Sequence, residues 1–179
     1  RKSVTNTLDN ALINSPDLIL SSAGVSVGTF DYVRMVIEAN GTLNFWRVNM
    51  RPGKPVAFGS YKGIPFLGLP GNPVSAYIGC MVFVLPILRH LQGQAAHPPK
   101  SIKAVLKESL KSPDGRESFY RGKVTKTEAG YEACLTGHQG SGNLYSLVQA
   151  NALLIVPAGV KIINAGEEVT AWLLDAEIE

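Results

Sequence analysis

The chain has 179 residues, enough for one or two domains with a real hydrophobic core and no need of disulfide or metal staples. Hydrophobic residues make up 45% and charged residues 17%, which excludes a disordered tail, and a net charge of +3 is too mild to mark a nucleic-acid binder. The charge is unevenly spread. Residues 1–94 hold 8 Lys/Arg against 4 Asp/Glu (+4), and residues 95–179 hold 9 against 10 (−1). A small anion is therefore more welcome in the first half.

In chain order, residues 4–13 place Val4, Leu8, Ala11 and Leu12 at helical spacing, and Pro16 closes that helix. The run 18–22 (LILSS) reads as a buried strand and AGVSVG as a glycine-hinged turn. A second helix is expected from about Phe30 to Ala39, stopped by Asn40-Gly41. LNFWRVNM (43–50) reads as a strand with RPGKP as its exit turn. VAFGS and IPFLGL read as two strands joined by a tight turn at Tyr61-Lys62-Gly63. Pro70-Gly71-Asn72-Pro73 then launches a long apolar helix. Its run Val74–Leu88 is too short to span a bilayer and carries Pro86, so a buried helix is expected and no membrane partner. This alternation predicts an α/β first domain with a mainly parallel sheet over 1–94. Residues 94–100 form a Pro-bearing linker, and short strand-like runs separated by glycine turns predict a small β-rich domain over 95–179. Cys80 and Cys134 share no metal-ligand spacing and are expected as buried free thiols. The chain opens Arg-Lys-Ser-Val with neither a signal-peptide pattern nor an initiator Met, which suggests a cytoplasmic fragment of a longer protein.

Four loops could carry chemistry. In Gly24-Val25-Ser26-Val27-Gly28, between a strand and a helix, backbone N–H groups would face an anion, and Asp31 falls in the first helical turn, as a dipole partner or as a metal or ligand contact. The same residues match the G-x-S-x-G pattern, which would make Ser26 a nucleophile with His138 as the one serious base; His90 reads as a cap and His97 as solvated. Arg51-Pro52-Gly53-Lys54-Pro55 holds two cations on a proline-stiffened turn, suited to an anion. In the Leu69–Ser75 loop, Asn72 suits an N-cap, Pro73 the first helical position, and Ser75 the third, beside unpaired backbone donors for an oxyanion. Gly137–Asn143, with Arg121 upstream, could close on a ligand or be a surface hairpin turn.

Together the strings DLILSSAGVSVGTFDYV, RPGKPVAFG, GLPGNPVSA, FYRG and GSGNLYSL…ANALLIVP resemble, over nearly the whole chain and in order, the C-terminal half of the molybdopterin molybdenumtransferase family, the MoeA-type proteins related to the gephyrin E domain. The resemblance implies part of a molybdopterin-binding α/β domain followed by a small β-barrel-like domain. It also implies a homodimer whose active-site cleft is built from several domains, and a molybdopterin adenylyltransferase as partner. The implied reaction inserts molybdenum from molybdate into adenylylated molybdopterin with release of AMP, assisted by Mg²⁺.

By position, Asp31 is similar to the family's acidic residue serving the metal and substrate phosphates. Arg51 and Lys54 occupy its two basic positions, Ser75 matches the serine of GNPVS, and Arg121 and Ser141 match second-domain residues facing the cleft. Asp31 and Lys54 are thus the expected catalytic residues. Gly24, Ser26, Gly28, Arg51, Lys54, Pro55, Asn72, Ser75, Arg121 and Ser141 are the expected anion- and substrate-binding set. Three positions depart from the family pattern: Ala23 replaces a glycine, Thr29 a common acid, and Arg51 a lysine, which keeps the charge and changes its shape. The competing readings are a gephyrin-like binding scaffold without catalysis and a G-x-S-x-G serine hydrolase.

Overall fold

The computed structural model describes residues 2–23, 32–95 and 99–174. The chain divides into two compact units, Arg1–Val48 with Gly53–Ala96, and Asn49–Pro52 with His97–Glu179.

The first unit is built on a four-stranded sheet. Helix α1 (Lys2–Leu12) buries Leu8, β1 (Ile19–Ser22) follows, and α2 (Tyr32–Asn40) buries Val36 and Ile37. Asn40 donates from Nδ2 to the Val36 carbonyl at 2.9 Å, and Gly41 opens β2 (Gly41–Phe45). After β3 (Met50–Arg51), which belongs to the other unit, come β4 (Ala57–Tyr61) and β5 (Ile64–Leu69). The sheet order is β1-β5-β4-β2. The expected α/β character is present, but the sheet is mixed: β1–β5 is parallel, while β5–β4 and β4–β2 are antiparallel. The reason lies in the turn. Lys62 (φ 47°) and Gly63 (φ 87°) are both left-handed, as a two-residue hairpin turn requires, so β4 and β5 must run in opposite directions.

Helices cover both faces of this sheet. Phe66 of β5 packs with Leu8, Val36 and Ile37, while its neighbours Leu67 and Leu69 pack with Val56 and Val84 on the opposite side. The second of these faces receives one continuous helical run, made of α3 (Pro73–Gly79), a π-helical turn (Cys80–Val84) and α4 (Leu85–Leu91). The wider turn, in which the Leu85 amide bonds the Cys80 carbonyl, lets the helix pass Pro86 without a break. Pro73–Leu91 is long and apolar enough to cross a membrane by length and composition; Ala76, Cys80, Phe83, Val84 and Ile87 pack on the sheet, but Tyr77, Leu88 and Leu91 are exposed, so the helix expected as buried is buried on one face only. Cys80 and Cys134 are free thiols, only half-buried, and partial burial pushes the Cys80 thiol up.

The run 43–50, expected as one strand, is two. β2 ends at Phe45 after a register irregularity between Leu43 and Phe45, Trp46 and Val48 turn into the first unit's core, and Met50–Arg51 pairs in parallel with β8 of the second unit. Residues 49–52 therefore leave the expected first domain.

The second unit contains β6 (Ser101–Leu106), β7 (Leu110–Lys111), β8 (Glu117–Thr127), β9 (Gly130–Leu135), α5 (Tyr145–Val148), β10 (Ala152–Val156), β11 (Ile162–Ile163) and β12 (Glu168–Leu173). The sheet order β10-β12-β6-β9-β8, with β8 pairing back to β10, closes a five-stranded barrel, as expected of a small barrel-like domain. Its interior is filled by small and branched residues, among them Ala104, Val124, Ala133, Leu154, Val169 and Ala171. β7 and β11 form a separate two-stranded ribbon.

Candidate functional site

In the first unit, β1 and β5 are parallel neighbours, so the loops that follow them leave from the same edge of the sheet. Ligands of open α/β sheets bind beyond such carboxyl ends. The two loops touch at their first residues. The Ala23 amide donates to the Leu69 carbonyl at 3.1 Å, and a Cβ placed on Gly71 would lie 2.9 Å from that of Ala23. Ala23 sits at φ 70°, in the left-handed region that favours glycine. Gly24, Ser26, Gly28 and Asp31 lie outside the described residues, as does Thr29.

The loop after β5 ends in the expected cap. The Asn72 side chain accepts from the Ser75 amide at 3.3 Å, and Pro73 takes the first helical position. Ser75 is buried, and its hydroxyl donates to Asn72 Oδ1 at 3.4 Å, so cap and serine form one hydrogen-bonded unit at the helix start. Lys54 and Pro55 belong to the same unit. The Lys54 carbonyl accepts from the Val48 amide at 3.0 Å, which closes the turn, while its side chain is exposed. No carboxylate pairs with it among the described residues. A cavity of about 390 Å³ near the end of β1 is lined mainly by apolar groups, including Val4, Leu8, Ile19 and Val33, and by none of the candidates among the described residues.

The second unit places the other candidates. Arg51 lies on β3, with Nη1 3.9 Å from Asp114 Oδ2. Arg121, on β8, is 1% exposed. It donates from Nε to Ser146 Oγ and from Nη2 to the Gly140 carbonyl, both at 3.0 Å. Its amide donates to Gln139 Oε1, and its carbonyl accepts from Gln139 Nε2 and from the Thr136 hydroxyl. Burial pushes its guanidinium down, and no carboxylate pairs with it among the described residues. The glycine loop is thus wrapped around a buried cation, while Ser141 is exposed on the loop. The sequence pointed to Arg121 and Ser141 and missed Gln139 and Ser146, which complete this network; polar residues spaced through a glycine-rich loop are the only signal they leave.

His138 Nδ1 accepts the Gly140 amide at 3.3 Å, within its own loop. No carboxylate pairs with its imidazole among the described residues, so no orienting third group supports a hydrolase base there. Nor do the described residues contain a group of three or more His, Cys, Asp or Glu fit to hold a metal ion.

Residues 1–90 match the family described as "Probable molybdopterin binding domain", and the chain belongs to that family. Residues 103–174 match the "MoeA C-terminal region (domain IV)". The chain is 39% identical over 156 residues to the molybdopterin molybdenumtransferase of Haemophilus influenzae, and 36% identical over 169 residues to that of a Nostoc species. It covers 39% and 38% of those relatives' length, and the matches take in 86% and 91% of the chain. A solved structure titled as the molybdopterin biosynthesis moea protein of Pyrococcus horikosii aligns with a TM-score of 0.73 at 28% identity, over 96% of this chain and 40% of that one. A molybdenum cofactor biosynthesis protein from Pyrococcus furiosus aligns with a TM-score of 0.70 at 28% identity, over 95% and 53%. The resemblance read from the sequence motifs is borne out, and neither the scaffold nor the hydrolase reading gains support.

Proposed function

We propose that this chain acts in molybdenum cofactor biosynthesis, as the portion of a molybdopterin molybdenumtransferase that helps insert molybdenum from molybdate into adenylylated molybdopterin with release of AMP. The observation that carries this reading is the meeting of the loops after β1 and β5 at Ala23 and Gly71. It brings the start of the AGVSVG segment beside the capped helix start of GNPVS.

Lys54 supplies an ammonium that no carboxylate pairs with among the described residues, on a turn closed by its own backbone, and the Ser75 hydroxyl and α3 backbone supply hydrogen bonds to an oxyanion. In the second unit, Arg51 contributes a guanidinium, Arg121 shapes the glycine loop from beneath, and Ser141 presents a hydroxyl. Molybdate is a tetrahedral dianion, and cations with directed hydroxyls suit it. Asp31 belongs to this reading as the residue that helps hold a Mg²⁺ ion on the substrate phosphates; such ions commonly take one or two carboxylates and complete their shell with phosphate oxygen and water. The same reading makes the natural protein a cytoplasmic homodimer that receives its substrate from a molybdopterin adenylyltransferase. Calorimetric titration of the full natural polypeptide with molybdate and with AMP tests it: saturable binding of both supports the reading, and binding of neither removes it.

A further inference from the structure

Residues 49–52 leave the first unit's sheet and are held in the second unit. Met50 is 3% exposed, Met50–Arg51 pairs in parallel with Glu117–Ser118, and the Glu117 amide donates to the Asn49 carbonyl at 3.2 Å. The grip continues through side chains. Arg116 Nη1 donates to the Met50 carbonyl at 3.4 Å, and Arg116 Nε donates to Asp114 Oδ2 at 2.8 Å, with Nη2 on the same oxygen. Asp114 stands on a turn closed by the Gly115 amide on the Ser112 carbonyl at 3.0 Å. Its other oxygen takes the Arg116 amide at 3.3 Å and faces the Ser112 hydroxyl at 3.5 Å. That hydroxyl is itself fixed, lying 2.8 Å from Ser118 Oγ and donating to the Arg116 carbonyl at 2.9 Å.

Asp114 is therefore a carboxylate of fixed position with two guanidinium neighbours of unequal distance. Arg116 takes the direct hydrogen bonds. Arg51 stands at 3.9 Å, beyond a hydrogen bond but within reach of its charge. An arginine held in this way loses rotamer freedom before any ligand arrives and keeps its donors. A direct carboxylate hydrogen bond would have occupied one or two of its five N–H donors.

We propose that Asp114, gripped by Arg116, is a positioning residue that holds the Arg51 guanidinium of the second unit ready as an anion contact. This rests on the reading of Arg51 as an anion contact given under Proposed function. Orientation outweighs the competing charge because Arg116 already compensates most of the Asp114 carboxylate. Neither Asp114 nor Arg116 was singled out in the sequence, where Pro113-Asp114-Gly115 reads simply as a turn.

The test is a double-mutant cycle in the full natural polypeptide, read by calorimetric titration with molybdate and accompanied by thermal melts. Arg51→Ala weakens molybdate binding. Asp114→Asn weakens it about three- to tenfold, Asp114→Glu restores most of the loss, and Asp114→Asn added to Arg51→Ala costs nothing further. Should the Asn variant fail to fold, Arg116→Gln probes the same relay, with the same loss expected and the same silence in the Arg51→Ala background. Parent-like binding by Asp114→Asn, or losses that multiply in the double variant, overturns the inference while the anion site stands. Parent-like binding by Arg51→Ala removes Arg51 from the proposed site and this inference with it.

Discussion

A Cβ on Gly71 would fall 2.9 Å from the Cβ of Ala23, and Ala23 itself is held at φ 70°. Two loops thus share a space that fits one methyl group, and that methyl belongs to a residue in a conformation made for glycine. Ala23→Gly should stabilise the fold by about 1 kcal/mol, as left-handed strain is relieved against some added entropy of the unfolded chain. Gly71→Ala should destabilise it, and Ala23→Gly should recover most of that loss. Urea denaturation of the two single variants and the double variant measures the coupling; simple additivity would contradict the contact.

Asn151 substitutes for a strand at the barrel's seam. Its Oδ1 accepts the Val124 amide at 2.7 Å and its Nδ2 donates to the Val124 carbonyl at 2.8 Å. Asn151→Ala leaves both backbone groups unpaired and should cost about 2–3 kcal/mol, measured as a shift in the denaturation midpoint. A loss below about 0.5 kcal/mol would show that solvent replaces the pair.

Arg121 should be sensitive for a different reason. Arg121→Met keeps the bulk but strands the Gly140 carbonyl and frees Ser146 Oγ. Hydrogen exchange across 137–146 should accelerate while the barrel strands stay protected. Uniform exchange in both proteins would mean that the loop does not depend on this cation.

The pH response of the first unit centres on Asp9, which accepts from Tyr61 Oη at 2.7 Å and from Lys62 Nζ at 2.6 Å. Lys62 first, then Tyr61, holds the Asp9 carboxyl below its usual range. Its folded pKa is depressed, so its contribution is present above the unfolded value of about 3.9 and is lost as pH falls through the folded value. Asp9 raises Lys62 in turn, so that contribution is full below about 10.4 and is lost as pH rises through the folded value. Denaturation against pH should show Asp9→Asn flattening both limbs, and an unchanged acid limb would rule the cluster out.

Much of this was legible in the sequence, for local reasons. Asn72 before Pro73 specifies a cap without tertiary help, Lys62-Gly63 specifies a hairpin turn, and the five motifs identify the family. What escaped depends on partners distant in the chain. The run 43–50 looks continuous because nothing local shows that Met50 pairs with Glu117. Arg121 looks like a ligand-facing cation until Gln139, Gly140 and Ser146 close over it. The sheet reads as mainly parallel because strand–helix alternation dominates the pattern; the hairpin at Lys62-Gly63 is legible, but nothing local shows that β2 also pairs antiparallel with β4. The ribbon of β7 and β11 and the single turn of α5 are too short to impose a period.

The role proposed for the turn ending in Lys54 is to hold the substrate oxyanion. Titrating molybdate into the full natural polypeptide and its Lys54→Ala variant tests it most directly. The account predicts affinity at least about tenfold weaker in the variant, with an unchanged melting temperature because the side chain is exposed on a turn. Equal affinity in the two proteins would contradict it.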